Sequence, residues 1–143
     1  MRMKRKAAAI LILCLTIFSL LFAVLWQRAE NSKDDIRQLA QASASDAYSQ
    51  FVEYQANGEV SSYWYGVAAF RSFEQAYYLL VDGTSKSSNY AFCNEVYGYL
   101  VLSPETSQKH MAEIIEVMEI LSMNVENEDG YLRMADLRNN IQE

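Results

Sequence analysis

One proline and five glycines are all that punctuate these 143 residues, and no stretch sustains an alternation of apolar and polar positions. A β fold needs tight turns and a period of two, so both shortages exclude one. Cysteine is almost absent. Cys14 lies in the first apolar run and Cys93 stands alone after it, which excludes a disulfide within the part that folds. Stability must then come from burial. Cys93, beside Phe92 and near Tyr90 and Val96, reads as a small buried hydrophobe; the competing reading is a disulfide to a second chain, which an oxidising exterior permits. Basic residues are scarce as well. After Trp26 the chain carries eight of them against eighteen acidic ones, a net charge of −10. A surface of that sign repels phosphate, so nucleic acid is not an expected partner, and docking on anionic lipid is disfavoured for the same reason.

Catalytic groups are equally thin. His110 is the one histidine, and with Glu113 it spells His-x-x-Glu. One imidazole supplies neither the paired elements of a bundle di-iron site nor, without cysteines, an ordinary zinc site. There is no Gly-x-Ser-x-Gly elbow and no phosphate-gripping glycine loop. Ser85 and Lys86 are neighbours in a polar loop, and Ser103 and Lys109 stand nearly two helical turns apart, so no nucleophile is paired with a base. Glu113, Glu116 and Glu119 form a row on one helix, expected to face solvent. The chain is therefore read as non-enzymatic, with no cofactor.

What is present begins with Ala7 to Trp26, an unbroken apolar run without charge, Pro or Gly. As a helix it covers about 30 Å, the thickness of a bilayer's hydrocarbon core. Arg2, Lys4, Arg5 and Lys6 precede it, and a slightly acidic segment follows. The positive-inside bias places residues 1–6 in the cytoplasm and residues 27–143 outside the plasma membrane of a bacterial envelope. A cleaved secretory signal is the competing reading. The run is long for one, and no small-x-small site follows it. Six residues inside hold no output module, so a signal would have to pass through a partner or through dimerisation of the anchor.

The remaining 117 residues suffice for one domain with its own core. Ser32 with Asp35 resembles a capping box, and a helix is expected from there to Ala56, with Ile36, Leu39, Ala40, Ala47, Phe51 and Tyr54 inward and Asn57-Gly58 as its stop. Nothing breaks the chain between the apolar run and this helix, so the two also read as one rod. A second helix is expected from Ser61 or Ser62 to Val81, ended by Asp82-Gly83, then a polar loop over 84–89. A third is expected from Asn89 to Leu102. Ser103-Pro104 places an N-cap before a proline at the first helical position, starting a fourth helix that runs to Asn124. Met111, Ile114, Ile115, Met118 and Leu121 give it the clearest apolar stripe in the chain. A fifth is expected from Gly130. The fold class is thus all-α: a transmembrane helix followed by a bundle-like extracytoplasmic domain of four to five helices.

Two patterns invite function. Aligned on Gly130, the segment from Val125 places Asn127, Asp129 and Asp136 at ligand positions of a calcium-binding EF-hand loop. Val125 replaces the first ligand and Asp136 is one methylene short, so the expected role is an acidic turn with Asn127 or Asp129 as helix cap. The second pattern is aromatic density between Tyr63 and Tyr99. Tyr63, Phe70, Phe73, Tyr77, Phe92 and Tyr99 fit core stripes, whereas Trp64, Tyr65, Tyr78, Tyr90 and Tyr97 fall on flanks. Core packing, membrane contact and a partner or ligand surface compete for this second set. The reading is a membrane-tethered interaction module that binds another envelope protein or itself. The alternative is a small-ligand or sensory domain, with a pocket among the second to fourth helices, acting through a partner.

Overall fold

A computed structural model describes residues 2–81 and 87–142, with side chains from residue 19 onward. All regular structure among the described residues is helical: α1 (Arg2–Asn57), α2 (Val60–Leu80), α3 (Ser88–Leu102), α4 (Pro104–Lys109), α5 (Met111–Met123) and α6 (Glu128–Gln142). The chain divides into two compact units, Met1–Asp35 and Ile36–Glu143.

In the first unit, Leu20, Leu21, Phe22, Val24, Leu25 and Trp26 are all exposed, and the rings of Phe22 and Trp26 lie 6.2 Å apart. Among the described residues no helix is long and apolar enough to cross a membrane. Side chains 7–18 of the expected anchor lie outside the described residues, as do the Asp82-Gly83 stop and residues 84–86 of the expected polar loop. Ser32 and Asp35 do not start a helix. α1 passes through them without interruption.

The second unit is an α-helical bundle. Small residues let α1 lie close to its neighbours: Ala40, Ala44, Ala47 and Phe51 form a buried stripe at helical spacing. Leu39, expected inside, is 55% exposed because Ala40 and Ser43 occupy the inward stripe. Asn57 and Gly58 end α1 as expected. Gly58 has a positive φ of 71°, its N–H donates to the Tyr54 carbonyl, and Asn57 Oδ1 accepts from the Glu59 N–H. The chain then reverses, and Tyr63 of α2 meets the rings of Phe51 and Tyr54 at 6.2 and 5.3 Å.

α3 begins under the Ser87 hydroxyl, which accepts from the Tyr90 N–H. It ends at Ser103-Pro104 as the sequence requires, although the Ser103 hydroxyl makes no capping bond. The expected fourth helix is two. It breaks at His110, whose N–H bonds the Ser107 carbonyl three residues back. The break lets α4 lie on α3 and α5 lie on α6, two directions that one straight helix does not serve.

The fifth predicted helix starts at Glu128, two residues early. Asn127 Oδ1 accepts from the Asp129 N–H at 2.9 Å, the bond an N-cap makes, and so sets the start ahead of Gly130. Gly130 instead lies inside α6 where a β-carbon would stand 2.7 Å from Leu121 Cδ2, so it admits close contact with α5. The core runs from Phe51 through Phe70, Phe73 and Tyr77 to Met118, Met134 and Leu137. Its rings stack, Tyr77 on Tyr131 at 4.7 Å. Each fully buried large side chain contributes about 1.5–3 kcal/mol.

Candidate functional site

Residues seven apart on a helix return to nearly the same face. Trp64, Arg71 and Tyr78 therefore share one stripe of α2, and Tyr90 and Tyr97 share one stripe of α3. The two helices run antiparallel. Tyr78 meets Tyr90 with ring centres 4.9 Å apart, Arg71 stands over Tyr97, and the Tyr63 hydroxyl donates to the Leu100 carbonyl at 2.8 Å. Of the aromatics expected on the flanks, Tyr78, Tyr90 and Tyr97 are half-buried along this seam. Tyr65, one residue and some 100° around the helix from Trp64, faces away from it.

Beneath the seam lies a buried charge that the flank pattern alone does not reveal. Glu74 is fully buried, with Oε2 ion-paired to Arg71 Nη1 and Oε1 without a hydrogen-bond partner. Its legible signal was spacing, since positions 70, 73, 74 and 77 share the inward face of α2. Burial, followed by the neighbouring Glu74 carboxylate, pushes the Tyr90 phenol above its ordinary value. The same two causes hold the fully buried Cys93 thiol well above the usual range, so it stays protonated and unreactive. This matches the buried-hydrophobe reading and leaves the thiol inaccessible to a second chain in this fold.

The exposed aromatics stand at the start of α2. Trp64 is 45% exposed and Tyr65 67% exposed, and Val60, one turn earlier, is also exposed. The Trp64 indole is held edge-on against Tyr63, ring centres 5.3 Å apart, and Tyr63 is fixed in the core. The result is an apolar patch on a rigid support.

The acidic turn is occupied by internal bonds. Val125 is buried, with its carbonyl accepting from the Tyr131 hydroxyl at 2.6 Å. Asn127 caps α6, Asp129 pairs with Arg133, and Asp136 is exposed two turns into that helix. Among the described residues no group of three or more His, Cys, Asp or Glu is placed to hold a metal ion. The glutamate row is not wholly solvated. Glu113 accepts from Asn140 and pairs with His110 Nδ1 at 3.0 Å, and Glu116 pairs with Arg133, so both tie α5 to α6. The Asn140 hydrogen bond, then that of His110, lowers the Glu113 carboxyl below its ordinary value.

Set beside known protein families, curated proteins and solved structures, the chain finds no match.

Proposed function

We propose that this chain is a single-pass membrane protein whose helical domain, outside the plasma membrane, binds another envelope protein through the exposed start of α2. The observation that carries the binding reading is the patch of Val60, Trp64 and Tyr65 on a helix whose other face is locked in the core. Large aromatic side chains on rigid elements give contact area at low entropic cost, and a Trp with an adjacent Tyr is the composition of an interface hot spot. The half-buried Tyr78, Tyr90 and Tyr97 lie farther along the seam of α2 and α3 and are not part of the proposed patch.

The membrane reading rests on the uncharged run Ala7 to Trp26, and the exposure of Leu20 through Leu25 supports it. Trp26 at its end suits the headgroup boundary, and the four basic residues before Ala7 orient the chain.

The test is crosslinking in the native cells followed by pull-down of the full chain and of its Trp64→Ala/Tyr65→Ala double variant. A chain of residues 1–35 serves as control. The expected result is a protein enriched by the full chain, lost in the double variant, and absent from the control. Equal recovery with the double variant overturns the patch; recovery of the full chain in the soluble fraction overturns the anchor.

A further inference from the structure

We propose that the groove between α3 and α6 is a second docking site, and that it takes a basic amphipathic helix of a partner protein. It is separate from the start of α2 and does not rest on the reading above. The two helices run side by side in the same direction. Ser88 and Phe92 share one hollow with Glu128 and Ala135, Glu95 meets Arg138 midway, and Gln142 Nε2 donates to the Tyr99 hydroxyl at the far end.

Two open hollows lie along this line. One of about 440 Å³ is walled by Phe92, Tyr131, Leu132 and Ala135, and one of about 400 Å³ by Gly98, Tyr99 and Leu102. Arg138 crosses between them, its guanidinium 4.9 Å from the Phe92 ring centre. A large apolar side chain borders each hollow: Leu132 is 65% exposed and Leu102 is 82% exposed. A β-carbon on Gly98 would meet nothing within 4 Å, so the floor beside it is open.

The walls decide what kind of chain fits. Their backbone groups are bonded within helices, so an extended strand finds no edge to pair with, whereas a helix satisfies its own. The hollows are centred some ten residues apart along α3, about 15 Å, so the partner presents two apolar anchors roughly seven to eleven positions apart on one stripe. Charge decides the sign. Glu128 and Glu95 stand on the walls, Glu95 paired with Arg138, in a domain that is strongly acidic overall. The C-terminal ends of α3 and α6 meet at the second hollow, and neither carries a basic residue in its last turn. Helix C-termini favour cations, so lysine or arginine is accommodated at the second hollow, while at the first, where α3 and α6 begin, the Glu128 carboxylate is the group that receives one. A second copy of this chain would bring the same acidic surface and be repelled.

The experiment uses the purified full chain in a mild zwitterionic detergent, with the detergent alone as blank. The probe is a fluorescent peptide of about 18 residues, five helical turns, with a leucine stripe flanked by lysines. Saturable binding is expected, weakened at least tenfold by Leu102→Ser with Leu132→Ser, and weakened by Glu95→Lys with Glu128→Lys. Trp64→Ala/Tyr65→Ala is expected to leave it unchanged. A peptide with glutamate for lysine is expected not to bind. Absence of binding, equal binding of both peptides, or indifference to the leucine pair overturns the proposal. So does sedimentation showing a dimer that the leucine pair dissociates, which would make the groove a contact between copies.

Discussion

Gly66 of α2 lies so close to Phe51 of α1 that a β-carbon there would stand 2.6 Å from the Phe51 ring. A ring edge does not bend aside as a flexible side-chain end does. Gly66→Ala is therefore expected to destabilise the domain by about 1–3 kcal/mol through overpacking. Gly98 is the internal control, mid-helix in α3 with open space where a β-carbon would stand. Gly98→Ala is expected to stabilise by about 0.5–1 kcal/mol, because alanine loses less backbone freedom on folding. Thermal melts of the two variants should move in opposite directions.

The Arg71–Glu74 pair should behave as a buried pair with one exposed end. Arg71 is partly exposed and bonds a carboxylate that is fully buried. Arg71→Met leaves that carboxylate uncompensated and is expected to cost about 3 kcal/mol. The double variant Arg71→Met/Glu74→Met removes both charges and should recover most of that loss. A double-mutant cycle by chemical denaturation measures the difference. Simple additivity would mean that the pair is not coupled.

Tyr63 ties α2 to the end of α3, and burial pushes its phenol up to about 12, with the Ser107 hydroxyl opposing. A raised folded-state value means that this group's contribution is complete below the unfolded value of about 10 and is lost as pH rises toward 12. Stability should fall through that window. Tyr63→Phe should cost about 1 kcal/mol at neutral pH and flatten the alkaline fall. Circular dichroism against pH, alongside tyrosinate absorbance, reads both.

Glu113 gives the opposite sign. Its lowered carboxyl contributes stability above the unfolded value of about 4.5, and the contribution is lost as pH falls through the lower folded value. Glu113→Gln is expected to lower Tm by a few degrees at neutral pH, since the carboxylate is half exposed and screened. The gap from the parent chain should close in acid. A gap independent of pH would assign the effect to packing.

Much of this molecule was legible one residue after another. The all-helical class, the positive φ at Gly58, the boundary at Ser103-Pro104 and the stripe from Met111 to Leu121 follow from dihedral preferences and a period of 3.6, which act within a few neighbours. The inward set Tyr63, Phe70, Phe73 and Tyr77 followed from the same period. The break at His110 did not, because no proline or glycine marks it; it arises where α4 and α5 lie on different partners. Burial of Glu74, the meeting of Tyr78 with Tyr90, the exposure of Leu39 and the groove between α3 and α6 belong to the same class. Each depends on which helix lies alongside. Periodicity says which face of a helix is apolar, and only tertiary packing decides how much of that face a neighbour covers.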